Sequence, residues 1–202
     1  AAASPGGSTS APPVQMYTPI ADGTDPADFT NTPGWRLRRA YVAPTVAERM
    51  EAMRLLWQEG EGPDAVHARR ILTATAATRI RPSRELQGDA VSLIASMLSA
   101  GYDQRAASWS GVVDRMEGQE GLRAWSMLVV GAPGDDVDTG RLAAFRDADD
   151  SAGRLRSGML VAALAGLGRI DEGSASGHAE DMGFNLDREN AWTQALERAV
   201  QQ

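Results

Sequence analysis

A helical spacing of apolar residues begins just after residue 44. Thr45 and Glu48 stand three residues apart, which is the signature of a capping box at a helix start. The apolar residues that follow recur at helical intervals and share one face. They are Met50, Met53, Leu56 and Trp57. Because Gly60 and Pro63 interrupt the pattern, we predict one helix that begins at Thr45 and stops before Gly60.

The same period returns in later stretches, each bounded by Gly, Pro or an acidic residue. These predicted helices cover residues 64–80, 86–100, 106–116, 122–130, a short stretch from 139 through 145, 151–167, a weaker stretch that reaches 182, and 187–200. Val66, Ile71 and Leu72 are the expected core residues of the first of them. The pattern therefore predicts an all-α domain of about seven to nine helices, packed as antiparallel pairs.

Three of the predicted turns share one composition. An apolar helix ends at Gly60, Gly101 or Gly168, an acidic residue follows, and small residues open the next helix. Glycine adopts the left-handed conformation at a helix end without a Cβ clash. The acid caps the next helix, and alanines let paired helices approach closely. We expect Asp103 and Asp171 to act as the caps after the second and third of these glycines.

Two of these turn segments, residues 100–106 and 167–172, resemble the helix-turn-helix pattern of tetratricopeptide repeats. In outline, the resemblance covers residues 46–200. The glycines at 60, 101, 131 and 168 are 41, 30 and 37 residues apart, whereas a regular array holds about 34. The resemblance therefore implies a degenerate α-solenoid, with the pairs in a short right-handed layer. Generic helix packing is the alternative.

Residues 1–44 differ from the remainder. The first part is rich in Ala, Ser, Gly and Pro, and prolines at 19, 26, 33 and 44 block helix continuation. We predict a flexible to extended lead over 1–44 and a helical-repeat-like domain over 45–202. A short helix from Trp35 to Ala40 is the alternative for the end of the lead.

Charge and composition narrow the classes of function. The net charge is −7, and all 20 basic residues are Arg. An acidic chain disfavours binding to nucleic acid or to anionic lipid. The absence of Cys excludes disulfides and thiolate chemistry. No apolar run approaches the length of a membrane span, about 18–20 residues.

Catalytic and metal signatures are weak. His67 is flanked by arginines, and His178 with Asp181 provides too few ligands for a zinc site. Asp135, Asp136 and Asp138, and a second group at 147, 149 and 150, do not follow the calcium-loop pattern, so helix capping explains them better. We predict no catalytic residue, no metal and no cofactor, and we lean against an enzyme.

Tryptophan and arginine provide the candidate partner-binding residues. Indole rings often anchor interfaces, although most such residues fill helical cores. Arginine clusters bind anions or form salt bridges. The predicted binding residues are Trp35, Arg36, Arg38, Arg39, Trp57, Trp109 and Trp125.

The resemblance implies a protein–protein interaction scaffold or adaptor, with another protein or peptide as its partner. The resemblance also implies a place in the bacterial cell envelope. The Ala-rich start, the Pro-rich lead and the missing Cys favour a periplasmic or otherwise exported protein, with the cytoplasm as the alternative. An enzyme or accessory domain that acts on cell-wall glycan or peptide is one rival function. A structural subunit of a larger assembly is the other.

Overall fold

The computed structural model describes residues 32–134 and 137–183, together with Gln194 and Arg198. Every regular element within these ranges is a helix, so the all-α prediction is confirmed. The chain divides into two compact units, residues 1–76 and 77–202, and each is described by itself. The lead before residue 32 and most of the predicted helix over 187–200 lie outside the described residues.

The first unit contains α1 (Pro33–Val42), α2 (Val46–Gln58) and α3 (Pro63–Ala77), whose last residue opens the second unit. The short helix considered around Trp35 to Ala40 is present and is longer than expected. Its start is fixed by Thr32, whose Oγ1 accepts a hydrogen bond from the Trp35 N–H at 3.2 Å. The predicted capping box at Thr45 is confirmed, because its hydroxyl accepts the Glu48 N–H and the Glu48 carboxylate accepts the Thr45 N–H.

The core of the first unit lies between α1, α2 and α3. The apolar stripe predicted on α2 is buried. The indole Nε1 of Trp57 donates to the buried Thr73 hydroxyl at 2.8 Å, and the Tyr41 hydroxyl donates to the Leu72 carbonyl at 2.7 Å. These two bonds fix α3 against the other helices.

The predicted core face of α3 was partly wrong. Ile71 is 44% exposed, whereas the small residues Thr73 and Ala74 are buried. Small side chains allow a close helix–helix approach, so they occupy the contact face while the larger isoleucine is displaced to the surface.

The second unit contains seven α-helices and two short 3₁₀ turns within its described residues. In chain order these are a 3₁₀ turn at Arg84–Asp89, α4 (Ala90–Leu98), α5 (Asp103–Ala107), α6 (Ser110–Val113), α7 (Gly118–Gly131), α8 (Thr139–Asp147), a 3₁₀ turn at Ala152–Arg154, α9 (Leu155–Gly166) and α10 (Glu172–Asp181).

Helix α7 is the central element of the second unit. It packs against α4, α5, α6, α8 and α9. Helix α4 is enclosed almost all round, which explains why its sequence is apolar on every side. Helices α9 and α10 form an adjacent pair.

Several predicted boundaries were wrong in the second unit. The stretch from Leu86 begins as a 3₁₀ turn, and the stretch 106–116 divides into α5 and α6 on either side of Trp109. The helix predicted over 122–130 begins earlier, at Gly118, so Gly121 lies within α7. A Cβ at Gly121 would lie 2.6 Å from the Met116 carbonyl oxygen, so the glycine allows a close backbone approach.

Of the three predicted glycine turns, those at Gly101 and Gly168 are confirmed. The prediction at Gly60 was wrong, because Gly62 and not Gly60 has the left-handed conformation there, with φ +86°. At Gly168 the φ angle is +66°, the glycine N–H donates to the Ala165 carbonyl, and the Arg169 N–H donates to the Leu164 carbonyl. Gly101 makes the equivalent pair of bonds at φ +75°. Both turns are therefore Schellman motifs.

The acidic caps after these turns differ. Asp171 caps α10 as predicted, since its carboxylate accepts the Ser174 N–H at 2.9 Å. Asp103 does not cap α5, because Tyr102 occupies the cap position and Asp103 is the first helical residue.

Candidate functional site

A groove of about 540 Å³ opens on the surface of the second unit. It lies where α6 and α7 end and α8 begins. Its walls are formed by Ala107, Ser110, Val113, Asp114, Trp125, Leu128, Val129, Ala132, Pro133, Gly134, Val137, Asp138, Arg141 and Arg169.

Helix α7 provides the main apolar wall of the groove. Trp125, Leu128 and Val129 are spaced at i, i+3 and i+4, so they project from one face of the helix. Each is at least nine-tenths buried, and the indole of Trp125 is 7% exposed. The groove therefore offers an aromatic and aliphatic lining whose side chains are already ordered by packing.

Arg141 fixes the end of α6 at one side of the groove. Its guanidinium donates to the main-chain carbonyls of Val113 and Asp114 at 3.1 and 3.0 Å, and lies 3.4 Å from the Asp114 carboxylate. A helix leaves its last carbonyls without intrahelical partners, so Arg141 supplies a donor to the Asp114 carbonyl and a second donor to the Val113 carbonyl, which also accepts the Met116 N–H.

Arg169 performs the same task at the end of α7. Its guanidinium donates to the carbonyls of Val129 and Ala132, the second at 2.7 Å. Arg169 follows the Schellman glycine Gly168, so the turn between α9 and α10 is tied to the groove.

The basic and acidic side chains at the groove differ in how far they are available to solvent. The two guanidiniums are directed onto main-chain carbonyls, whereas the Asp114 side chain is 68% exposed. Asp138 is also exposed, and it caps α8 by accepting the Arg141 N–H at 3.0 Å. Solvent at the groove mouth meets carboxylates more readily than cations.

The predicted binding residues of the first unit are mostly engaged within that unit. Arg36 and Arg69 both pair with Glu59. The Arg39 guanidinium lies 4.9 Å from the centre of the Trp35 ring, a cation–π distance. Of the two remaining predicted binding residues of this unit, Arg38 is exposed and Trp57 is buried.

The two predicted tryptophans of the second unit have different positions. Trp109 is 0% exposed and packs in the core, so direct contact with a partner would require the core to open. Trp125 lines the groove. Trp125 is thus the predicted binding residue that the structure places in a surface cavity.

The sequence alone did not identify Arg141 and Arg169 as groove residues. Each is separated from the carbonyls it binds by 27–40 residues along the chain. The only local signal was the position of Arg169 directly after a helix-ending glycine.

A buried carboxylate lies outside the groove, in the turn before α9. The Asp149 side chain is 1% exposed. It accepts hydrogen bonds from the N–H and the hydroxyl of both Ser151 and Ser157, at 2.6–2.9 Å. Burial opposes ionisation, but these four bonds outweigh it and hold the pKa of Asp149 well below its usual range. Asp149 is thus a helix cap, which is the role favoured for this acidic group.

The histidines do not form a centre. His67 is exposed on α3, and Asp181, which was considered with His178 as a ligand, pairs with Arg146. Among the residues that the structure describes, no three His, Asp or Glu side chains are grouped closely enough to hold a metal ion. No helix in the described ranges is long and apolar enough to cross a membrane.

Compared with known protein families, with curated proteins and with solved structures, the chain has no match. The resemblance to tetratricopeptide repeats therefore stays a prediction from sequence.

Proposed function

We propose that this protein is a protein-interaction adaptor and that the groove of the second unit receives a large apolar side chain from a partner polypeptide. The observation that carries the proposal is the preordered apolar lining of Trp125, Leu128 and Val129 beneath a polar rim. Binding sites commonly combine apolar walls with a few polar groups that fix orientation.

The size of the groove suits a side chain within an extended segment. Its volume of about 540 Å³ lies within the range of about 300–1,000 Å³ that ligand sites occupy. Because the wall residues already pack on their neighbours, little side-chain entropy is lost when a ligand enters.

The carboxylates near the groove favour binding over hydrolysis of a cell-wall polymer. A carboxyl that acts as a general acid near neutral pH requires a raised pKa, usually from burial. Asp114 and Asp138 are exposed, and the buried Asp149 does not line the groove and has a lowered pKa. The adaptor role is therefore the better-supported function, and the cell-envelope location stays a prediction.

Selection from a displayed library of random peptides tests the proposal. We expect enrichment of peptides that contain Trp, Phe or Leu, and about tenfold weaker binding of a selected peptide to the Ser110→Phe protein. Ser110 is exposed and lines the groove, so a phenyl ring there would occupy it. A tenfold loss corresponds to about 1.4 kcal/mol.

Ser108→Phe is the matched control. Ser108 is also exposed and lies two residues away, but it does not line the groove. Thermal unfolding of both variants at the wild-type temperature would show that neither is misfolded. Failure to enrich any peptide, or equal binding by both variants, would overturn the proposal.

A further inference from the structure

The groove mouth carries an excess of accessible negative charge. The Asp114 side chain is 68% exposed and meets only one edge of the Arg141 guanidinium, at 3.4 Å. Asp138 is exposed beside it.

The two arginines of the groove cannot recognise an anionic partner without a cost. Arg141 and Arg169 together satisfy four main-chain carbonyls at the ends of α6 and α7. If either guanidinium turned towards a ligand carboxylate, its bonds to these carbonyls would be lost, although the Val113 carbonyl would keep the Met116 N–H as a donor. An acidic peptide would therefore meet exposed carboxylates before it met an available cation.

A basic peptide meets carboxylates of opposite charge at the groove mouth. Asp114 Oδ1 lies 3.4 Å from Arg141 and Asp138 Oδ1 accepts the Arg141 N–H, so a Lys or Arg side chain next to the apolar anchor would pair with the second oxygen of each carboxylate. The long apolar stems of Lys and Arg side chains can also cover apolar surface of the groove wall while their charged ends stay at the polar rim. The net charge of −7 on the whole chain adds a weaker attraction of the same sign.

We infer, on the basis of the proposed function, that the groove selects a polypeptide segment in which a large apolar residue is flanked by Lys or Arg. The apolar side chain packs in the groove against the wall that Trp125, Leu128 and Val129 form. The basic side chain pairs with Asp114 at the mouth.

Three fluorescein-labelled synthetic peptides test this inference. They share one selected sequence with its apolar anchor and differ only at the two positions beside the anchor, which are both Arg, both Gln or both Glu. By fluorescence anisotropy we expect the Arg peptide to bind about tenfold tighter than the Glu peptide at low salt, because each exposed ion pair contributes about twofold to fivefold in affinity. High salt should reduce this ratio.

Asp114→Asn should reduce the preference for the Arg peptide by about threefold. Asp150→Asn is the matched control, since Asp150 is also an exposed carboxylate paired with an arginine but lies away from the groove. Equal binding of the Arg and Glu peptides, or an unchanged preference in Asp114→Asn, would overturn the inference and leave the adaptor proposal standing. If none of the three peptides bound the wild-type protein, both the inference and the adaptor proposal would be overturned.

Discussion

Asp149 shows how one residue can determine the start of a helix. Four donors from Ser151 and Ser157 surround its carboxylate, and the Ser157 N–H belongs to the first turn of α9. Arg154, immediately before α9, has a left-handed conformation and provides no side-chain cap. Asp149, which lies outside α9, therefore provides the acceptor for a first-turn N–H that the residue at the cap position does not provide.

We expect Asp149→Asn to lower the free energy of unfolding by about 2–3 kcal/mol, because an amide nitrogen would face donors and the charge-assisted bonds would be lost. Denaturant unfolding followed by circular dichroism measures this change. Asp150→Asn, whose carboxylate is 79% exposed, should change the stability by less than about 0.5 kcal/mol. Equal effects of the two substitutions would contradict the capping role.

The lowered pKa of Asp149 also predicts an acid-dependent loss of stability. Since the unfolded chain binds this proton more tightly than the folded protein, the stabilisation is complete above the ordinary aspartate pKa of about 3.9. It decreases as the pH falls below that value towards the folded pKa. Unfolding curves between pH 6 and pH 2 should show a steeper decline for the wild-type protein than for Asp149→Asn, and parallel declines would contradict it.

At the scale of the elements, interactions between residues close together in the sequence were predictable, and interactions between distant residues were not. The capping box at Thr45 and the turns at Gly101 and Gly168 depend on residues within six positions, so the sequence pattern identified them. The interior position of Gly121 in α7 depends on a close approach to Met116, and the exposure of Ile71 depends on which face α3 buries. Arg141 and Arg169 bind carbonyls far along the chain, so periodicity could not place them in the groove.

The turn glycines provide a test at this scale. Gly101→Ala should cost about 1–2 kcal/mol, because its φ of +75° forces an alanine into the left-handed region. Gly111→Ala is the control, since that glycine lies within α6 with open space around its Cβ position and should be neutral or stabilising. Thermal unfolding compares the two, and equal destabilisation would contradict the Schellman assignment.

At the scale of the whole molecule, the balance of charge disfavours binding to nucleic acid. The chain has 27 acidic and 20 basic residues, and the basic residues described at the groove are bound to carbonyls. Neither feature provides the basic surface that neutralises phosphates.

We therefore expect no measurable binding to a short DNA duplex at physiological salt. Fluorescence anisotropy with a labelled duplex measures this, and a basic DNA-binding domain serves as the positive control. A saturable complex that weakens with added salt would contradict the prediction.

The central position of α7 has a consequence for the rate of folding. Because α7 contacts five other helices, the second unit cannot close around its core until α7 is in place, whereas α10 can join afterwards through α9. We expect Ala124→Gly in α7 to slow refolding and Ala179→Gly in α10 mainly to speed unfolding, since both residues are buried and each change costs about 1 kcal/mol. Stopped-flow measurements of the refolding and unfolding rates of each variant test this expectation. If Ala179→Gly slowed refolding and Ala124→Gly mainly sped unfolding, the folding nucleus would be centred on α10 and the expectation would be wrong.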